Sequence, residues 1–205
     1  EPVTGVTADD LSVEGVAATG VTGSGAGPYV FTVTPPVLGT LDVVLRGDGG
    51  IQSLTAVPFA GDSWLYFNGL PKVVINEIFY HPSSASVALG QNPEDLQFLE
   101  LYNDDVQTID LGGFRTSGVT HTFPAGTLLD PGDYLVLAEN PAVLQTKVTI
   151  PVGVTVLQWT SGDLANGGET IELSDSYGHV IDSVPYDDGG EWAPAADGDG
   201  PSLEL

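Results

Sequence analysis

Cysteine and methionine are both absent from the 205 residues, and lysine and arginine together number only four. Without cysteine there is no disulfide staple, no thiolate zinc site and no cysteine nucleophile, while export to an oxidising compartment stays open. Arg46, Lys72, Arg115 and Lys147 stand far apart in the chain. Four dispersed cations cannot build a surface that tracks a phosphate backbone, which excludes nucleic acid as a partner. No apolar run approaches the roughly 18 residues that a membrane span requires. The chain opens on Glu1-Pro2, without an initiator and without a Lys/Arg-flanked apolar leader, and so is expected to be a piece of a larger precursor.

Acid is what the chain has instead. Its 28 Asp and Glu give a formal net charge of −24, yet hydrophobic residues make up 41% and charged residues only 16%. That balance belongs to a folded chain with a core and not to a disordered acidic tail. The 27 Gly and 15 Pro are spread as punctuation between short β-branched runs, the pattern of an all-β protein. Strands are expected at 17–23, 29–34, 39–45, 63–67, 73–79, 96–103, 120–123, 134–138, 154–159, 170–175 and 179–186, many of them alternating with period two. Helix is expected only at 141–145, where Asn140 caps and Pro141 takes the first helical position.

A Gly-Pro punctuated stretch at 68–72 (NGLPK) separates a Thr/Gly/Val-rich part from one rich in acids and aromatics, and a boundary is placed at residue 70. Residues 1–70 hold seven acids and one base, net −6; residues 71–205 hold 21 acids and three bases, net −18. The acidity is mostly a property of the second part. No repeat at a solenoid period is present.

In the first part, Thr7-Ala8-Asp9-Asp10-Leu11, the glycine-serine hairpin at 21–27, the strand at 29–33 and Gly39-Thr40-Leu41 lie within a run, 6–45, that resembles bacterial immunoglobulin-like domains found in tandem on large exported proteins. Members of that family begin a strand or two earlier, which leaves open whether the module is complete at its start. In the second part, Val74-Ile75-Asn76-Glu77-Ile78 and Phe98-Leu99-Glu100-Leu101-Tyr102-Asn103 resemble the opening of a bacterial lamin tail domain. The likeness continues in order through Asp110-Leu111-Gly112-Gly113-Phe114, the run 123–134 (FPAGTLLDPGDY), Leu164-Ala165-Asn166-Gly167-Gly168-Glu169, the run 171–178, the run 180–186, Trp192 and the closing 197–204. The resemblance implies a fold class of two immunoglobulin-like β-sandwich domains in tandem, 1–70 and 71–205. It also implies a binding or anchoring module without catalysis of its own.

The chemically suggestive residues are Glu77 and Glu100, each mid-strand among apolar neighbours in two strands expected to pair antiparallel. Like charges facing each other across a ladder destabilise it, so something must offset them. A hard cation is one answer, because calcium takes about six to eight oxygen ligands, and residues 182–204 supply seven acids and no base. On that reading Glu77, Glu100, Asp187, Asp197 and Asp199 form a calcium site that ties the last segment to the sheet. The alternative is that the glutamates hydrogen-bond turn amides at one end of the sandwich while the aspartates cap turns. Calcium added and then chelated during thermal unfolding separates the two.

Other constellations point to no chemistry. His81, His121 and His179 are scattered and read as solvent-facing structural residues, no G-x-S-x-G elbow or phosphate-cradling loop is present, and Asp130 with Asp133 or Glu94 with Asp95 suit turns as well as acid/base work. Tyr186 and Trp192 are expected to pack in or seal the sandwich core. At −18 for residues 71–205, the chromatin association of eukaryotic lamin tails is not carried over. The function expected is adhesion or anchoring within a secreted or cell-surface bacterial protein, with a surface protein or polysaccharide, and neighbouring domains of the same precursor, as partners. Two alternatives stay open: an accessory targeting module of a multidomain extracellular enzyme (a nuclease or a spore-coat-H-like kinase), and an intracellular filament tail, which would need a heptad-repeat rod upstream.

Overall fold

The structure, a computed structural model, describes residues 1–34 and 38–205. Pro35, Pro36 and Val37 of the run that resembles an immunoglobulin-like module lie outside the described residues. The chain is all-β and divides into two compact units, Glu1–Leu70 and Pro71–Leu205. Among the described residues, no helix is long and apolar enough to cross a membrane.

The first unit carries β1 (Val3–Thr4), β2 (Leu11–Val13), β3 (Val16–Ala17), β4 (Gly20–Thr22), β5 (Val30–Thr32), β6 (Thr40–Leu45), β7 (Gln52–Ser53) and β8 (Asp62–Phe67). Its main sheet runs β3-β2-β6-β8, flanked by the ladders β1-β7 and β4-β5. The single strand expected at 17–23 is two strands. Ala18 donates its N–H to Leu11 in the main sheet and Thr19 donates its own to Thr32, so the chain changes ladder between adjacent residues. The register Val13↔Val43, Leu41↔Tyr66 and Val43↔Trp64 sets these five side chains on one face, where Leu41 and Val43 are buried.

The second unit continues with β9 (Val73–Phe79), β10 (Phe98–Asn103), β11 (Ile109–Asp110), β12 (Arg115–Thr116), β13 (His121–Thr122), β14 (Leu128–Leu129), β15 (Tyr134–Ala138), helix α1 (Pro141–Lys147), β16 (Thr155–Gln158), β17 (Glu169–Ser174), β18 (Val180–Tyr186) and β19 (Leu203–Glu204). A five-stranded sheet, β16-β15-β10-β9-β19, faces a four-stranded one, β13-β12-β17-β18, over one core. Alternation puts Leu99, Leu101, Leu135, Leu137, Ile171 and Leu173 into that core, each fully buried, and Tyr186 joins them while Trp192 packs against the edge. The sheets are also tied by polar links. Asp182 on β18 accepts the Ile75 N–H of β9 at 2.8 Å, and the buried Gln97 side chain donates to the carbonyls of Tyr80 and Leu164 and accepts the Leu164 N–H.

Two features of the five-stranded sheet shape its outer face. Between Glu100 and Leu101 the register of β10 on β9 shifts by one, so that Asn76 and Glu77 together stand opposite Glu100. Such a bulge turns two consecutive side chains toward one face. The second feature is β16, which pairs with β15 in parallel. Parallel pairing demands a crossover, and α1 supplies it. The Asn140 side chain accepts the Val143 N–H and Pro141 opens the helix, as expected from the sequence, but the helix runs two residues further, to Lys147. It covers one half of the outer face, where Phe79, Phe98, Val136, Ala138 and Leu144 form a second apolar cluster.

Candidate functional site

The other half of that outer face holds the glutamates. Glu100 on β10 is the register partner of Glu77 on β9, and Glu77 is in turn the partner of Glu204 on β19. Three carboxylates therefore stand abreast across three adjacent strands. One step along β10, Tyr102 is the partner of Tyr134 on β15, with ring centroids 4.8 Å apart. Tyr134 is 39% exposed, so the pair forms an aromatic step beside the carboxylate row.

Local hydrogen bonds orient the row. Asn76, the extra residue of the bulge, donates from Nδ2 to Glu100 Oε1 at 2.8 Å, and the Ser202 hydroxyl donates to Glu77 Oε1. Among the described residues no Lys, Arg or His lies within ion-pair distance of either glutamate. Burial pushes the Glu100 carboxyl above its ordinary range; the Asn76 bond opposes this, and the charges of Glu77 and Glu204 add to it.

Glu77 and Glu100 also line a cavity of about 180 Å³, whose remaining walls are Phe98 and Val136 from the sheet, Leu144 from α1, and Val148, Thr149, Ile150, Pro151 and Val154 from the crossover loop. The glutamate pair thus sits on the border between an apolar hollow and open sheet.

The aspartates of the expected calcium site lie elsewhere. Asp197 bonds His81 through Nδ1 at 2.6 Å, and the backbones of these two residues form a parallel bridge. Asp187 accepts the Gly189 N–H and caps its own turn, while Asp199 is exposed. Asp188 is held above the usual carboxylate range by its hydrogen bond with Asp187 and by the charges of Asp187 and Asp197. Burial, then Asp197, Asp188 and Asp187, raise the pKa of Tyr80, whose buried hydroxyl has no hydrogen-bond partner among the described residues. Glu77 and Glu100 thus share the sheet face, while Asp197 is engaged by His81 and Asp187 by its own turn. Among the described residues, no group of three or more His, Asp or Glu is placed to hold a metal ion. Aspartates do cap turns, as the alternative reading has it, but the glutamates bond side chains and not turn amides.

Of the three histidines expected to face solvent, His121 is instead buried. His179 and two backbone N–H groups converge on buried Asp175, and His121 packs edge-on to Phe123 at 4.8 Å. Glu204 is one of the seven acids of 182–204 but was not among the five expected ligands; it lies two residues after Ser202 in the closing strand, where the register sets it beside Glu77.

The model of one family matches residues 68–188, a span that carries every strand of the two facing sheets except β19. The chain belongs to the lamin tail domain family. Within the tail domain the match includes Glu77 and Glu100 and ends at Asp188, ahead of Asp197, Asp199 and Glu204. Strand β19, beyond the match, nevertheless completes the edge of its larger sheet. No curated protein matches the chain. Among solved structures it is similar to a DUF4876 family protein from Bacteroides thetaiotaomicron, at 13% identity and a TM-score of 0.35, covering 95% of this chain and 66% of that one.

Proposed function

We propose that this chain is a non-catalytic binding module of a large secreted or cell-surface bacterial protein, serving adhesion or anchoring to a surface protein or polysaccharide. One observation carries the reading: the tail domain leaves half of a sheet face open, with the Tyr102–Tyr134 step beside the row of Glu100, Glu77 and Glu204. Aromatic rings present a flat apolar area with little conformational entropy to lose, and neighbouring carboxylates add directional acceptors; together they recognise a surface without transforming it. The net charge of −24 supports work outside the cell, where salt and divalent ions screen self-repulsion. Use as a targeting module beside an extracellular catalytic domain would employ the same face and differs only in what the parent protein carries.

The test is retention of the fluorescently labelled 205-residue chain on isolated bacterial envelopes. Saturable retention that falls at least about tenfold in Y102A/Y134A supports the reading, a loss of about 1.4 kcal/mol. Absence of retention, or equal retention by the variant, refutes it.

A further inference from the structure

We propose that the cavity beside the glutamate pair is a lysine-binding pocket, which takes the side chain of a lysine presented by a partner protein. The proposal rests on the binding-module reading and names the chemistry of its ligand. The hollow of about 180 Å³ has aliphatic walls at Val136, Leu144, Ile150 and Val154 and carboxylates at one side only, Glu77 and Glu100. An occupant must therefore be apolar along its length and cationic at its end. Lysine has that form: four methylenes that bury readily against apolar surface and a compact ammonium with three donors.

The oxygens fit as well. Asn76 occupies Glu100 Oε1 and Ser202 occupies Glu77 Oε1, which fixes both carboxylates and leaves each Oε2 without a hydrogen bond among the described residues. One ammonium can donate to both of these oxygens and still keep a donor for water. A bound cation also removes the repulsion between two like charges placed directly opposite each other on adjacent strands. Two alternatives suit the site less. Calcium would need about six to eight oxygens where aliphatic side chains stand, and the planar fork of arginine gains its advantage from bidentate pairing with a single carboxylate, whereas each of these has one oxygen engaged.

The experiment titrates the ¹⁵N-labelled chain, at constant ionic strength, with the capped tripeptide acetyl-Gly-Lys-Gly-amide and with the same peptide acetylated on Nε. Saturable amide shifts confined to Glu77, Glu100, Leu144 and the segment 148–154, at least about tenfold weaker for the Nε-acetyl peptide and for E77Q/E100Q, bear the proposal out. The double substitution removes a repulsion and so leaves a folded protein in which to read the loss. Equal response to both peptides, no response, or shifts scattered over the acidic surface and unchanged in E77Q/E100Q overturn it. If the peptide fails while the chain is still retained on envelopes, lysine recognition falls and the binding-module reading stands.

Discussion

Glu100 pays for its place on the sheet. It is half-buried, shares its row with Glu77 and Glu204, and has its carboxyl pKa raised by burial and by those two charges despite the Asn76 bond. An acid with a raised folded-state pKa binds more protons folded than unfolded, so its contribution to stability declines as pH rises from the unfolded value toward the folded one. Glu100→Gln is therefore expected to raise Tm by about 1–3 °C at pH 7, with the gain vanishing below about pH 3, where a glutamate is protonated in both states. Calorimetry at the two pH values checks this, and a gain of equal size at both would refute the assignment. His121 behaves in the opposite sense. Burial lowers its pKa below the ordinary 6.5, so the unfolded chain binds the proton more readily and stability falls as pH drops below about 6.5. His121→Leu should flatten that part of the pH-stability curve while Tm at pH 8 changes by less than about 3 °C. Glu77 and Glu100 were legible as an opposed pair because each interrupts an apolar strand. Gln97 was not, since its three bonds depend on backbone groups 17 residues away at Tyr80 and 67 residues away at Leu164.

At the level of elements, legibility follows locality. The strands 73–79 and 134–138 were read to the residue, because both are long apolar runs whose pattern is set by burial. The two-residue strands β11, β12, β14 and β19 were not anticipated; a ladder of two residues has no period to detect and exists only because a neighbouring segment is already in place. The bulge in β9 is of the same kind. Strict alternation would put Asn76 and Glu77 on opposite faces, whereas the register shift sets both against Glu100, and this makes the Asn76 bond possible. The parallel pairing of β16 was likewise invisible as a direction, although the strand and the helix that permits it were both read. The turn at Asn166-Gly167-Gly168 shows a need met within the turn itself. Gly168 has φ +92°, and a Cβ there would lie 2.7 Å from both Asp187 Cα and the Tyr186 carbonyl oxygen. Backbone cannot give way as a flexible side chain can, so Gly168→Ala is expected to cost about 2 kcal/mol. Denaturant unfolding measures it, and a variant within about 0.5 kcal/mol of the parent would mean that the turn has slack.

For the whole molecule the governing quantity is net charge. Twenty-eight acids against four bases repel one another in the compact state more than in the expanded one, and the interaction between exposed charges fades beyond about 10 Å at 0.1 M salt. Raising NaCl from about 10 mM to about 300 mM is therefore expected to raise Tm, as screening distances shrink over that range. Calcium at matched ionic strength separates screening from ligation. A specific site that binds only the folded state would add about 2.7 kcal/mol at a concentration one hundred times its dissociation constant, a shift far larger than screening predicts. Glu77 and Glu100 stand on the sheet face while Asp197 bonds His81, and among the described residues no three His, Asp or Glu are placed to hold one ion. The expected result is thus a Tm in calcium chloride equal to that in sodium chloride of the same ionic strength, to within about 1 °C. An excess of several degrees in calcium, reversed by a chelator, would mean that Glu77, Glu100, Asp187, Asp197 and Asp199 are drawn together by the ion, and that the like-charge row is offset by metal and not by a ligand's ammonium.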